Sequence, residues 1–565
     1  MVQQGVSMAV VAGNDDERIR HVVLLIFENH SFDQMLGDVK KLHGDLDGVD
    51  ASAPRTNDDD QGRSYAQAPT TDRQMLFDPP HEVKDVAEQL ANDNSGFVLN
   101  FARHYPQSTT AARGFIMGYY ERGFLPALHA LASDFTICDR WHASVPGSTW
   151  TNRLFALSGT SMGRVNMPGD GVHGADLPGY FQQTQDTLFD RLTEAGLHWK
   201  VYFHDIPQTA VLTHQRAPQN AARYFYIDEF FDDARKPEAV FPQFCLIEPS
   251  YLGYAENDDH PPHDVMRGEK LLADVYNALR GNDALWQSTL LVVFYDEHGG
   301  FYDHVAPPPA VPPDDHHDEY SFDRLGVRVP ALLVSPWVDR RVEHTLFDHT
   351  SVLRYLIDKW HLQPLGRRTA AAHSIAVALT RRAPRTDTVS RIVLTEEQLL
   401  APDPELEDRL FGIPDTHQTA LRILADYLTR EIVTDAPRIY SWLARLIEGL
   451  RSVCEGLLAR LYGDPPATSI SIAEPDRLAL YGSAKPRDDV AHFLMHRKRQ
   501  AVADLGAAIG DETLPEARVD HAVQTLALIT GRPYHREKNG REHAKAWLSR
   551  HVSASATLRR RGRLR

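Results

Sequence analysis

Residues 289–300 read TLLVVFYDEHGG, and residues 19–30 read IRHVVLLIFENH. Each is a short apolar run without alternation that stops at a polar pair, Asp296-Glu297 in one case and Glu28-Asn29 in the other. Apolar runs of this length suit strands buried on both faces. The same pattern recurs along the chain. Phe135–Cys138 leads into Asp139, Trp199–Phe203 ends at His204, Phe244–Ile247 ends at Glu248, and Val327–Val334 ends at Ser335. Helix-like segments lie between them, Thr187–Ala195 and Gly268–Leu279 among them. Strands alternating with helices predict a layered α/β domain with a mostly parallel central sheet. In such sheets ligands sit beyond the carboxyl ends of the strands. Glu28, His204, Glu248 and Asp296 all fall there.

The chain has 565 residues, of which 42% are apolar and 24% charged. That is globular composition and excludes a wholly disordered or collagen-like chain. The net charge is −17, so phosphate repels the protein as a whole and no specific nucleic-acid partner is expected. The 28 histidines direct attention to proton transfer and phosphate contact. Cys138, Cys245 and Cys454 are too few and scattered for a disulfide framework or a cysteine-rich zinc site. The first residues lack the basic and apolar regions of a signal peptide, and no apolar run approaches a membrane span. A cytoplasmic location is the expectation.

The expected organisation is a tail over 1–18, a catalytic domain over 19–380, a linker over 381–414 and a mainly helical region over 415–565. The proline- and acid-rich residues 307–323 predict a long surface loop, in the position of a lid. Arg438–Tyr462 carries a helical apolar stripe flanked by arginines, which suits helix packing first and peripheral membrane contact second. The basic tail 559–565 reads as solvated.

The acidic strand ends carry the first chemical reading. Glu28, Asn29, Asp296 and Glu297 offer hard oxygen donors to one divalent cation: Mg²⁺, Mn²⁺, Ca²⁺ or Zn²⁺. The stretch Pro146-Gly147-Ser148-Thr149 makes a turn into a helix that starts near Thr149. A hydroxyl there sits beside free N–H groups and the positive helix end. Thr149 is the candidate nucleophile and an added ligand of the cation, with Ser148 its rival. His81, His204, His260 and His263 stand at strand ends or in proline-rich loops and are candidates for phosphoryl contact or leaving-group protonation. His298 and His304 flank the turn after the acidic pair, where they would orient its ligands.

These motifs resemble a known family. Residues 26–33, IFENHSFD, are similar to the opening motif of the bacterial phosphoesterase family, which includes phospholipases C and acid phosphatases. Residues 295–305, YDEHGGFYDHV, resemble its second signature. Gly326–Pro330, Ser335-Pro336 and Phe347–Ser351 resemble its closing segments. The resemblance covers about residues 19–375. It implies an alkaline-phosphatase-like fold and a metal at Glu28, Asn29, Asp296 and Glu297. It further implies a hydroxyl nucleophile at Thr149 and phosphate contacts from His81, His204 and His260.

The expected function is metal-dependent hydrolysis of phosphoric esters through a phosphothreonine. Small soluble esters are favoured, because the 307–323 loop has no apolar stretch to guide a lipid. A phospholipase C acting on lipid diesters is the alternative. A catalytically inactive scaffold that binds a partner through its helical extension is the reading from another class. The sequence leaves the oligomeric state open.

Overall fold

The computed structural model describes residues 17–169, 171–172, 176–252, 256–317, 319–400, 415–435, 505–506, 508–510, 516–530, 532, 534–536 and 538–551. The Arg438–Tyr462 stripe and the tail 559–565 lie outside these residues, as does nearly all of the N-terminal tail.

Eight strands form the central sheet: β1 (His21–Phe27), β2 (Thr136–Cys138), β3 (Trp199–Phe203), β4 (Tyr224–Tyr226), β5 (Phe244–Glu248), β6 (Thr289–Tyr295), β7 (Ala331–Val334) and β8 (Arg341–Glu343). Their order across the sheet is β4-β3-β5-β1-β6-β7-β2-β8. All neighbours are parallel except β7, which runs antiparallel to both β6 and β2. The sheet is thus the mostly parallel one the apolar runs predict. Every residue of β1 and β6 is buried, which explains why their sequences do not alternate.

Register fixes the site. His21 pairs with Thr289 and each following residue keeps step to Phe27 beside Tyr295. The next residues, Glu28 and Asp296, therefore leave the sheet side by side. The Asp296 N–H donates to the Phe27 carbonyl at 3.0 Å. The expected strand Val327–Val334 is shorter than its apolar run. Pro330, which has no N–H to give a ladder, precedes the paired residues, and Arg328 in that stretch turns to ion-pair with Asp33 and Asp303 at 3.1 and 2.9 Å.

Four helices frame the strand ends or support them: α1 (Thr149–Ser158), α2 (Val265–Arg280), α3 (Thr350–Trp360) and α4 (Thr416–Asp435). The start of α4 packs on the catalytic core, since Ala420, Leu421 and Leu424 join the main apolar cluster. The 307–323 loop is anchored. Phe322 is fully buried and its ring lies 5.8 Å from that of Phe155 on α1. Arg368 donates to the Phe322 carbonyl at 2.7 Å. The end of the loop is thus pinned to α1 at Phe322, while Val311, Asp315, His316, His317 and Glu319 are exposed, as a surface loop requires. Among the described residues no helix is long and apolar enough to cross a membrane.

His304, grouped with His298 by sequence, serves the fold instead of the acidic pair. Its Nδ1 lies 2.8 Å from Asp33 Oδ2 and its Nε2 3.0 Å from Asp47 Oδ1. Burial disfavours its charge, but these carboxylates outweigh burial and raise its pKa to about 10. A raised pKa stabilises the fold fully below the ordinary value of about 6.5, and the contribution is lost as pH rises through 10. Replacing His304 by Asn should cost about 2 kcal/mol near pH 6 and much less above pH 10. Denaturant midpoints of both proteins across that range measure the convergence.

Candidate active site

The turn that leads into α1 is held from within. Asn152 donates from Nδ2 to the carbonyls of Val145, Gly147 and Ser148 and accepts from the Val145 N–H. Ser148 is the N-cap residue, but its hydroxyl donates to the Val165 carbonyl at 3.1 Å. Thr149 is the first helical residue. Its Oγ1 lies 3.5 Å from Asn29 Oδ1, and both residues are fully buried. The two rival hydroxyls thus face different ways, and Thr149 is the one turned to the strand ends.

Asn29 adopts φ 59°, a left-handed conformation that asparagine tolerates. Gly299 approaches it so closely that a Cβ there would lie 2.1 Å from the Asn29 carbonyl oxygen, and its own φ is +62°. The Gly299-Gly300 turn is therefore what lets the segment after Glu297 fold back over Asn29. His298 places its Nδ1 3.3 Å from Glu297 Oε2 and its Nε2 2.8 Å from Gln89 Oε1, the orienting position expected of it.

Glu28, Asp296 and Glu297 are all fully buried. Arg153, one helical turn from Thr149, reaches across two of them. Its Nε lies 2.9 Å from Asp296 Oδ2 and an Nη 3.0 Å from Glu28 Oε1. Its other Nη donates to the Tyr251 hydroxyl at 3.0 Å. Sequence reasoning gave Arg153 no role. The i, i+4 spacing from Thr149, which places both on one helix face, was the available signal.

The histidines divide. The His81 and His260 rings lie 6.0 Å apart, and His81 Nε2 is 3.9 Å from Glu297 Oε1. Burial disfavours charge on His81, yet Glu297, Asp78 and Glu82 carry its pKa to about 10. For His260, burial is outweighed by Asp415, Asp78 and Glu28, and its pKa rises to about 9. His263 Nδ1 is 2.5 Å from Asp258 Oδ1; after burial, Asp258 and Glu256 dominate and hold it near 10. His204 stands two strands from β1, half-buried, with Nδ1 3.0 Å from the Glu248 carbonyl oxygen.

The residue sequence reasoning missed outright is His417. It opens α4, and its Nδ1 lies 2.7 Å from Glu28 Oε2. Asp415 sits beside it, with Oδ2 3.7 Å from His260 Nδ1.

These groups fit a cation. Glu297 Oε1, Asp78 Oδ1, His260 Nε2 and Asp415 Oδ2 are buried without a hydrogen-bond partner among the described residues, and Glu28 faces Arg153 and His417 at 3.0 and 2.7 Å. So many unmatched polar atoms in one place are costly unless a charged group joins them. The acids feel the crowding. Burial pushes Asp296 up to about 8, with Glu28 and Glu297 adding to it against Arg153. Burial would raise Glu28 as well, but His417 and Arg153 draw it down to about 2. Asp78, His81 and His260 form one candidate ligand group, and Glu28, Asp258 and His417 another.

The sequence profile of the Phosphoesterase family matches residues 19–363. The chain belongs to the phosphoesterase family. Among curated relatives, non-specific phospholipase C4 of Arabidopsis thaliana is 32% identical over 419 residues, covering 66% of this chain and 74% of that protein. Phospholipase C A of Mycobacterium tuberculosis is 31% identical over 400 residues, 60% of this chain and 72% of its own. Non-hemolytic phospholipase C of Pseudomonas aeruginosa is 29% identical over 387 residues, 60% and 53%. Among solved structures, the phosphonate monoester hydrolase of Agrobacterium radiobacter aligns with TM-score 0.31 at 11% identity, over 65% of this chain and 79% of that one. The phosphoesterase is thus a phosphoester hydrolase, and the inactive-scaffold reading falls. Its family match ends before α4, so Asp415 and His417 reach the site from outside the matched residues.

Proposed function

We propose that this phosphoesterase is a metal-dependent hydrolase of phosphodiesters of the phospholipase C kind, acting through Thr149. The observation that carries the reading is the Thr149 hydroxyl at the start of α1, turned to Asn29 within a ring of buried, unmatched ligand atoms. Glu28, Asn29, Asp296 and Glu297 would hold one divalent cation together with Thr149 Oγ1. When bound, that ion lowers the hydroxyl's pKa and neutralises charge on the phosphoryl oxygens. Deprotonated Thr149 attacks phosphorus in line and forms a P–O bond as the bond to the leaving oxygen breaks. Asn29, His81 and the free N–H groups of α1 receive the non-bridging oxygens, where charge develops. His260, whose Nε2 is free to donate and whose ring is held protonated, gives its proton to the leaving alkoxide. Water then cleaves the phosphothreonine; with a diester the headgroup leaves on the phosphate.

The expectation of small soluble esters rested on the 307–323 loop, which lacks an apolar stretch, and on histidines suited to a dianion. The relatives' names favour the diester instead. A second reading keeps the monoester, because His81 and His260 add positive charge suited to a dianion. Hydrolysis of a phosphocholine diester lipid and a chromogenic phosphomonoester should be compared from pH 5 to 8. The diester is expected to be preferred throughout; a monoester preference at every pH would reverse the assignment.

A further inference from the structure

The family match ends at residue 363, yet the start of α4 enters the site. Asp415 caps this helix, its Oδ1 accepting the Gln418 N–H at 2.6 Å. The Thr416 N–H and hydroxyl donate to Asp78 Oδ2 at 3.2 and 2.9 Å, and Gln418 Nε2 donates to the Tyr251 carbonyl at 2.8 Å. These contacts set the first turn of α4 against the end of β1 and bring His417 beside Glu28. Both residues are buried.

The imidazole is oriented from several sides. The Gln208 side-chain amide nitrogen faces its Nε2 at 3.1 Å, so Nε2 accepts and the ring proton sits on Nδ1. Nδ1 is the nitrogen that meets Glu28 Oε2, at 2.7 Å. The ring packs edge to face with that of Tyr251, their centroids 4.8 Å apart. The other carboxylate oxygen, Glu28 Oε1, lies 3.0 Å from Arg153. Each carboxylate oxygen has two lone-pair directions. One donor on each oxygen therefore fixes the plane of the Glu28 carboxylate and leaves a lone pair on each for an ion. Without His417, Arg153 alone would hold Glu28, and a guanidinium readily takes both oxygens of a carboxylate.

We propose that His417 is a positioning residue for the catalytic cation, holding Glu28 in the orientation that binds it. The proposal rests on the reading of Glu28 as a ligand of that cation. His417 does not touch the ion; it acts through the carboxylate. Hydrogen-bond partners that orient a metal ligand in this way typically cost about 10- to 100-fold in metal affinity when lost. The helix beyond the family match thereby takes part in the metal site.

Manganese affinity of the chelator-stripped full-length protein tests this, read from the electron paramagnetic resonance of free Mn²⁺. His417→Phe keeps a ring against Tyr251 but removes the donor, and it should weaken binding by about 10- to 100-fold. His417→Asn carries an amide N–H at the place of Nδ1 and should recover most of that loss. Leu424→Ala cuts into the packing of α4 away from Glu28 and should bind as the wild type does. Asp296→Ala, which lacks a ligand of the ion, sets the background. If His417→Phe does not give the wild-type circular dichroism, His417→Ala carries the same expectation. Wild-type affinity in His417→Phe beside lost binding in Asp296→Ala would overturn the positioning role and leave the ion assignment standing. Equal losses in His417→Phe and His417→Asn would also overturn it, as would a loss in Leu424→Ala as large as that in His417→Phe, since His417 would then be a docking contact. No bound manganese in the wild type, or wild-type affinity in Asp296→Ala, would instead refute the ion assignment and the positioning role with it.

Discussion

Thr149→Ala should lower turnover by at least ~10³-fold, the scale of losing an activated nucleophile, while thermal stability changes little. Thr149 Oγ1 is 3.5 Å from Asn29 Oδ1 and is not a cap for its own helix, so its removal leaves the turn intact. Asn152 holds that turn through three carbonyls independently. Thr149→Ser keeps the hydroxyl and should keep activity within about tenfold. Ser148→Ala should remain active, because the Ser148 hydroxyl is engaged by the Val165 carbonyl. Steady-state rates for the three variants decide it: an inactive Ser148→Ala beside an active Thr149→Ala would assign the reaction to the other hydroxyl.

Removing the metal should have an effect of the same order. Chelation is expected to abolish turnover, with recovery on adding back zinc or manganese. Asp296→Ala should do the same without recovery, by at least ~10³-fold. Its carboxylate also holds the strand ends together, accepting the Asn29 N–H at 3.3 Å. It pairs with Arg153 at 2.9 Å and accepts the Glu297 N–H at 2.7 Å. Among the described residues, its loss leaves Glu28 as the one carboxylate within ion-pair distance of Arg153, so the guanidinium gains a stronger hold on that ligand. Burial raises Asp296, with Glu28 and Glu297 adding to it against Arg153. Full activity in thoroughly stripped protein would show that Arg153 and the histidines suffice.

What the sequence made legible were the ends of strands. An apolar run closing on Glu28-Asn29 and another on Asp296-Glu297 are local patterns, and the parallel register of β1 and β6 carries them to one place. Thr149 was legible for the same reason, because a Pro-Gly turn announces a helix start. Arg153 lay within that motif but needed the helical phase of α1 to be given a role. His417 could not be read at all. Its helix was expected to begin near residue 415, as it does, but nothing in the local pattern says that this helix start docks on β1. That contact is made by tertiary packing of Ala420, Leu421 and Leu424. The 307–323 loop was legible in part. Prolines and acids suggested a surface loop, and the exposed residues agree, but nothing in that composition showed that Phe322 would be buried against Phe155.

Covalent catalysis by Thr149 is measured directly by acid quench during turnover, followed by mass spectrometry of the peptide containing residues 145–153. A phosphoryl group is expected on Thr149 from a monoester, or the headgroup phosphate from a diester. It should accumulate within one turnover and be absent in Thr149→Ala. A peptide that stays unmodified while substrate is consumed at full rate, with quench times shorter than a turnover, would contradict it.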